Sequence, residues 1–224
     1  MRAEDLITSL AQDLEPVEPL SSPRRQLLSW LGVTIPVLAL ITWIMGPRPD
    51  LAGKFGESGF VLSEMLGVIT ALISAYAAFC AGRPDQPTWK LWVPMFAMLV
   101  WLGDLGRQYA VLSLQGTGDM LRLQLDPMCM PAIAIAGLIP AGTIVILLRR
   151  SASFRREHTC LCGALAAGAA AEVTLRLFHS SGNLATLLLW QIGSVMLFIL
   201  IGWFVSNKVL RNFARVSHHQ QAAG

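Results

Sequence analysis

The chain has 224 residues, of which 54% are hydrophobic and only 14% are charged, with a net charge of +3 at pH 7. Soluble domains average about 25% charged residues, so this composition excludes an ordinary water-soluble domain and indicates a polytopic membrane protein. The basic residues follow the loops between apolar runs and form no single patch, which argues against direct binding of nucleic acid.

Residues 3–15 are predicted to form a short amphipathic helix. On a helical wheel at about 100° per residue, four apolar side chains lie within about one quarter of the circumference. They are Leu6, Ile7, Leu10 and Leu14. The opposite face is acidic: Asp5 lies in the first turn, where the helix dipole favours negative charge, and Asp13 borders the apolar stripe. Pro16 ends the helix, because the residue before a proline avoids the α conformation.

A lone helix of about a dozen residues is marginal in water, so its apolar stripe needs a cover. Three covers are open: the lipid surface, the membrane domain of the same chain, and a partner protein. Helices that lie on lipid usually carry Lys and Arg on their polar face, whereas residues 1–20 contain acidic residues and Arg2 as the only basic one. Anionic headgroups repel such a segment. We therefore favour a partner protein, with docking on the membrane domain as the next alternative.

Six apolar runs follow, each of about 20 residues and therefore long enough to cross a bilayer as a helix. They cover residues 27–46, 60–81, 91–110, 128–148, 160–178 and 184–206. The predicted fold is all-α. It has three parts, which are a cytoplasmic segment over residues 1–23, a six-helix transmembrane domain over 24–210 and a disordered tail over 211–224.

Lysine and arginine set the expected orientation, because they are enriched in cytoplasmic loops. With the N-terminus inside, the outer segments hold five of the 17 basic residues, namely Arg48, Lys54, Arg107, Arg122 and Arg176. The remaining twelve lie inside. An even number of spans then puts both termini in the cytoplasm, and with them the acidic helix.

Of the charged residues within the predicted spans, four are considered as functional candidates, as intramembrane charges are by default. They are Glu64, Asp104, Glu172 and Arg176. Glu172 and Arg176 are four residues apart, which suits an ion pair on one helix face. All four lie towards the outer interface, so we expect them to be paired or solvated rather than to form an ion path.

Of the four cysteines, Cys129 alone is expected at the outer face. The other three face the reducing cytoplasm. His158 precedes Cys160 and Cys162 with a spacing unlike that of zinc sites, so no metal site is assigned there. His179 is expected to share the outer face with Cys129, and an imidazole with a thiolate suits a soft metal. An interfacial histidine beside a lone cysteine explains the same pattern.

Four different short motifs are spread along the chain. They are Glu4-Asp5-Leu6-Ile7-x2-Leu10-Ala11-x-Asp13-Leu14-x-Pro16-Val17, then Arg48-Pro49-Asp50-Leu51, Pro127-x-Cys129 and Leu188-Leu189-Trp190. With six spans and an inner N-terminus, they resemble the NrsF family of proteobacterial membrane anti-sigma factors. The resemblance implies a protein of the bacterial inner membrane. Such proteins hold an extracytoplasmic-function (ECF) sigma factor and release it under heavy-metal or oxidative stress.

The resemblance also implies site residues. The sigma factor would bind Leu6, Ile7, Leu10 and Leu14, with Asp5 and Asp13 beside them. Members of the family carry two periplasm-facing cysteines, and Cys129 matches the first. Near the second, this sequence has His179 and Ser180 and no cysteine, so the two-cysteine arrangement is incomplete. Sensing is therefore expected at Cys129 and His179.

No phosphate-binding glycine loop, catalytic triad or metalloprotease motif is present, so the sequence predicts neither an enzyme nor a cofactor. The alternative function, from a different class, is a small membrane transporter or channel. The intramembrane charges would then matter most.

Overall fold

Helices make up all the regular structure that the computed structural model describes, which covers residues 21–114, 129–149 and 155–179. In chain order they are α1 (Pro23–Met45), α2 (Leu51–Lys54), α3 (Ser58–Ala81), α4 (Val93–Leu114), α5 (Cys129–Leu148) and α6 (Arg156–Phe178), with a 3-10 turn at Thr88–Leu91. Gly193, Met196, Leu197 and Leu200 are also described, each as helical. The all-α prediction is confirmed for these residues. The N-terminal helix, most of the sixth run and the tail lie outside them.

Within the described ranges, three helices are long and apolar enough to cross a membrane by length and composition. They are α1, α3 and the part of α6 from Glu157 to Phe178. A membrane protein is therefore supported. The helices α4 and α5 coincide with two further predicted runs, but the count of six spans stays a prediction.

Helix α1 begins and ends at recognisable local signals. The Ser22 side chain accepts a hydrogen bond from the backbone N–H of Arg25 at 3.4 Å, and Pro23 occupies the first helical position, where its missing N–H costs nothing. At the other end, Gly46 has a φ of 81°, a conformation that L side chains rarely adopt. These signals place the start of α1 four residues before the predicted run.

Helix α6 is the centre of the bundle, because its side chains from Cys162 to Leu175 are nearly all buried. Its most extensive contact is with α3, and it also packs against α5 and α1. Small residues line the contact on both sides, among them Ala71 and Ala75 of α3 and Ala166 and Ala170 of α6. Small side chains let two backbones approach closely, which is how helices commonly associate in membranes.

Two hydrogen bonds tie α1 to α5. The indole Nε1 of Trp30 donates to the carbonyl of Pro140 at 3.1 Å, and Trp30 is only 1% exposed. The side-chain amide of Gln26 donates to the carbonyl of Leu147 at 3.3 Å. Leu147 lies in the last turn of α5, where carbonyls have no partner within the helix, so Gln26 satisfies a group that needs one.

Sequential helices run in opposite directions, which gives the bundle two distinct ends. A Cβ atom at Gly163 would lie 3.4 Å from Ile144 Cγ2, whereas Leu175 clusters with Ala136, so α5 and α6 are antiparallel. One end contains the N-termini of α1 and α6 and the C-terminus of α3, and we call it the basic end. The other end contains the C-termini of α1 and α6 and the N-terminus of α3, and we call it the opposite end.

Candidate functional site

A buried charge cluster joins α3 to α6 near the opposite end. Arg176 Nε lies 2.9 Å from Glu64 Oε1, and Arg176 Nη1 donates to Ser63 Oγ at 2.7 Å. The indole of Trp101 on α4 donates to the same hydroxyl at 3.3 Å. The Arg176 guanidinium also lies 5.0 Å from the ring centroid of Phe60, within cation–π range. Side chains of three helices therefore meet at the Ser63 hydroxyl.

The predicted pair between Glu172 and Arg176 is wrong, because Arg176 pairs with Glu64 of α3 instead. Glu172 is 1% exposed, and neither of its carboxylate oxygens has a hydrogen-bond partner in the part of the chain that the structure describes. Asp104, the remaining intramembrane acid, pairs with Arg107 at 2.8 Å. The expectation that all four intramembrane charges are paired or solvated thus fails for Glu172.

The loop after α1 closes the opposite end over α6. Arg48 donates from Nε and Nη2 to the two carboxylate oxygens of Asp50 at 2.6 and 2.7 Å, and these bonds lower the pKa of Asp50. The backbone N–H of Arg48 donates to the carbonyl of Leu177 at 3.1 Å. Because Leu177 is in the last turn of α6, this bond again satisfies a carbonyl that the helix leaves open. The Arg-Pro-Asp-Leu motif is therefore a structural clamp.

The two predicted sensing residues lie at this same end. Cys129 is the first residue of α5, and its side chain is outside the described part of the structure. His179 directly follows α6, is partly buried, and donates its backbone N–H to the carbonyl of Leu175 at 2.8 Å. The antiparallel packing of α5 and α6 brings both backbones to one end. Whether their side chains meet stays a prediction.

The basic end gathers loops that are distant in sequence. The guanidinium of Arg83, just after α3, donates to the carbonyl of Ser21. Arg155 donates to the carbonyl of Gln86 at 3.2 Å, and His158 makes an edge-to-face ring contact with Trp92 at 6.5 Å. The start of α1 is thus held against the loop between α3 and α4.

This end is strongly positive among the residues that the structure describes. Its basic residues are Arg24, Arg25, Arg83, Lys90, Arg149, Arg155 and Arg156, against Asp85 and Glu157. The opposite end has acids and bases in similar numbers. The orientation, in which this end faces the cytoplasm because positive charge is enriched there, stays a prediction.

Cys160 and Cys162 do not share an environment. Cys162 is 2% exposed and belongs to the apolar core, whereas Cys160 is partly exposed. No group of three or more potential metal ligands occurs in the described ranges.

A groove of about 670 Å³ opens between α1, α3 and α6. Its lining is almost wholly apolar, from Trp30 and Trp43 on α1 to Leu177 on α6. The hydroxyls of Thr42 and Thr174 in its wall donate back to their own helices, at 2.9 and 2.8 Å. Thr34 also lines the groove, and its hydroxyl has no hydrogen-bond partner in the described structure, so the groove offers an ion one unengaged hydroxyl in an otherwise apolar wall.

The predicted sigma-factor-binding residues all lie outside the described part of the chain. They are Leu6, Ile7, Leu10 and Leu14, with Asp5 and Asp13. Sequence reasoning also gave no role to Ser63, Trp101 or Gln26, because a serine, tryptophan or glutamine in an apolar run carries no signal of its partner. The tertiary contacts alone identify them.

Comparison with known proteins gives one match. The model of the family described as "NrsF: Negative regulator of sigma F" matches residues 10–212. No curated protein and no solved structure matches the chain. The family match confirms the resemblance drawn from the four sequence motifs.

Proposed function

Because the chain belongs to the NrsF family of negative regulators of a sigma factor, we propose that it is a membrane-bound anti-sigma factor. It holds an ECF sigma factor at the bacterial inner membrane through residues 1–23 and releases it when metal or oxidative stress reaches the periplasmic face. Its role is regulatory rather than enzymatic. Its partners are a sigma factor and the lipid bilayer, with no direct contact to nucleic acid.

The observation that carries this proposal is the position of the basic end. The carbonyl of Ser21, just before α1, accepts a hydrogen bond from Arg83. The acidic segment over residues 1–20 directly precedes Ser21 in the chain, and Arg24 and Arg25 follow it. Opposite charges at this point favour a segment held close to the bundle, ready to present its apolar stripe to a partner.

The apolar stripe is large enough for a stable complex. Burying four aliphatic side chains contributes roughly 6–12 kcal/mol. Ordering a flexible segment on binding costs about 2–5 kcal/mol of that gain. A micromolar complex, which needs about 8 kcal/mol, is within this range.

A transcription reporter tests the inhibitory role of the stripe. The double variant Leu10→Asp with Leu14→Asp adds two charges to the apolar face and should release the sigma factor constitutively. The matched control, Thr8→Asp with Gln12→Asp, adds the same charges on the polar face and should repress as wild type does. Both proteins must be present in the membrane at wild-type amounts. Repression by the first double variant would exclude the stripe as the inhibitory element.

The bundle offers a physical route from the opposite end to the basic end. Helix α5 begins at Cys129, and α1 is tied to α5 by the bonds from Trp30 and Gln26. A displacement of α5 after modification of Cys129, with His179 as a second ligand if the agent is a metal, would therefore shift the start of α1. The N-terminal segment continues directly from that start.

A transporter or channel, the alternative function, receives less support. The groove between α1, α3 and α6 is apolar, and the buried charges Glu64, Glu172 and Arg176 lie together near one end rather than along a path. In ion or proton pathways, charged residues are distributed along the path across the membrane. A regulator retains a specific sigma factor on affinity capture, whereas a transporter does not.

A further inference from the structure

Glu172 is a buried acid without a compensating partner among the residues that the structure describes. Its residue is 1% exposed, and neither carboxylate oxygen has a hydrogen-bond partner in the described structure. The free-energy cost of burying an ionised carboxylate without a partner is far larger than the stabilisation from one hydrogen bond. Buried acids of this kind therefore take up a proton and become neutral. A proton, a cation or a hydrogen-bond donor is therefore needed to stabilise the Glu172 carboxyl group in this position.

The nearest cation is already engaged. Arg176 lies one helical turn beyond Glu172, but its Nε faces Glu64 at 2.9 Å and its Nη1 donates to Ser63 at 2.7 Å. Two carboxylates thus share one positive charge. One guanidinium neutralises one of them, and the geometry assigns it to Glu64.

The neighbouring elements supply no uncompensated positive charge at this depth in the described ranges, because Arg107 of α4 is paired with Asp104. Helix α3 contributes Glu64, which is acidic, and the described side chains of α1 and α5 near the opposite end are uncharged. Arg48, in the loop above, is held by Asp50. His179 lies two turns beyond Glu172, at the end of α6.

We propose that Glu172 is a proton-binding site of the folded protein, loaded from the compartment that the opposite end faces. Glu172 lies six residues before the last residue of α6, and Glu64 lies six residues after the first residue of α3. At 1.5 Å per residue, both acids are about 9 Å below the opposite end. The proton keeps the second acid neutral beside Glu64, and α6 can then pack against α3.

The site makes stability depend on pH in one direction. In water an exposed glutamate releases its proton well below pH 7, whereas the folded protein retains it at Glu172. Folding therefore takes up a proton, and the unfolded state binds fewer protons than the native state. By linkage, the folded state loses stability as the pH rises. For one proton the folding equilibrium constant falls by up to about tenfold per pH unit.

The test uses full-length protein purified in detergent micelles and unfolded with SDS between pH 5 and pH 9. Wild type should lose up to about tenfold in its folding constant per pH unit over part of this range. Glu172→Gln has the same shape and is always neutral, so it should fold and lose that dependence. Glu157→Gln removes an exposed acid from the same helix and should keep the wild-type slope.

Infrared spectroscopy provides a second readout without a sigma factor, so the result is separate from the proposed function. Wild type at neutral pH should show the carbonyl stretch of a protonated carboxylic acid, and Glu172→Gln should lack it. An equal pH slope in wild type and Glu172→Gln would overturn the proposal. The absence of the protonated-acid band from wild type would overturn it as well.

Discussion

The contact between α3 and α6 depends on a glycine, and its replacement gives the sharpest prediction about the bundle. Gly67 is buried, and a Cβ atom there would lie 2.6 Å from Val173 Cγ2 and 2.8 Å from Trp101 Cζ2. Carbon atoms normally approach to about 3.5–4.0 Å, so Gly67→Ala forces α3 away from both neighbours by about 1 Å. The same movement strains the bond from Trp101 to Ser63.

The magnitude follows from two opposing effects. Overpacking a well-packed core costs typically about 1–3 kcal/mol. Alanine in place of glycine returns up to about 1 kcal/mol through helix propensity. Gly103→Ala on α4 is the matched control, because nothing lies within 4 Å of its Cβ position and only the propensity gain remains. The difference in stability between the two variants therefore isolates the packing cost, about 1–3 kcal/mol.

The assay is unfolding in SDS, followed by tryptophan fluorescence and compared at one detergent concentration. Gly67→Ala should unfold at a lower SDS fraction than wild type, while Gly103→Ala should unfold at an equal or higher one. If both variants unfold together, the close approach of α3, α4 and α6 at Gly67 does not exist in the membrane protein.

Two further predictions concern orientation and sensing. A reporter active only in the periplasm should be silent when fused after Gly224 and active when inserted within residues 116–119; activity after Gly224 would overturn the even number of spans. Cys129→Ser should continue to repress when cadmium or an oxidant is added, because it removes the one thiol expected at the outer face. Cys160→Ser and Cys162→Ser should respond as wild type does, and normal induction in the Cys129→Ser strain would place sensing elsewhere.

The positions of the helices could be predicted from the sequence, because an apolar run of membrane length is compatible with few structures other than a helix. The predicted run at 60–81 and α3 (Ser58–Ala81) differ by two residues. The run at 91–110 begins earlier than α4, since Thr88–Leu91 forms a 3-10 turn before Val93. Hydropathy alone does not distinguish that turn from the first turn of a span.

The partners of the charged residues could not be predicted from the sequence in the same way. Spacing along the chain favoured Glu172 for Arg176, because residues four apart face each other on a helix. In the structure the guanidinium turns to Glu64, which is more than 100 residues away in sequence and on another helix. Only the register of α3 against α6 decides between these acids, and that register depends on small residues such as Gly67, which carry no signal of their neighbours.

The capture of a sigma factor by the full-length protein tests the central claim most directly. The protein is tagged at its C-terminus and purified from gently solubilised membranes of a strain that also produces the cognate sigma factor, sought first in the neighbouring reading frame. The account predicts one sigma factor bound to wild type and to Thr8→Asp with Gln12→Asp, and its loss from Leu10→Asp with Leu14→Asp. Wild-type protein that inserts normally and yet binds no sigma factor would contradict the account.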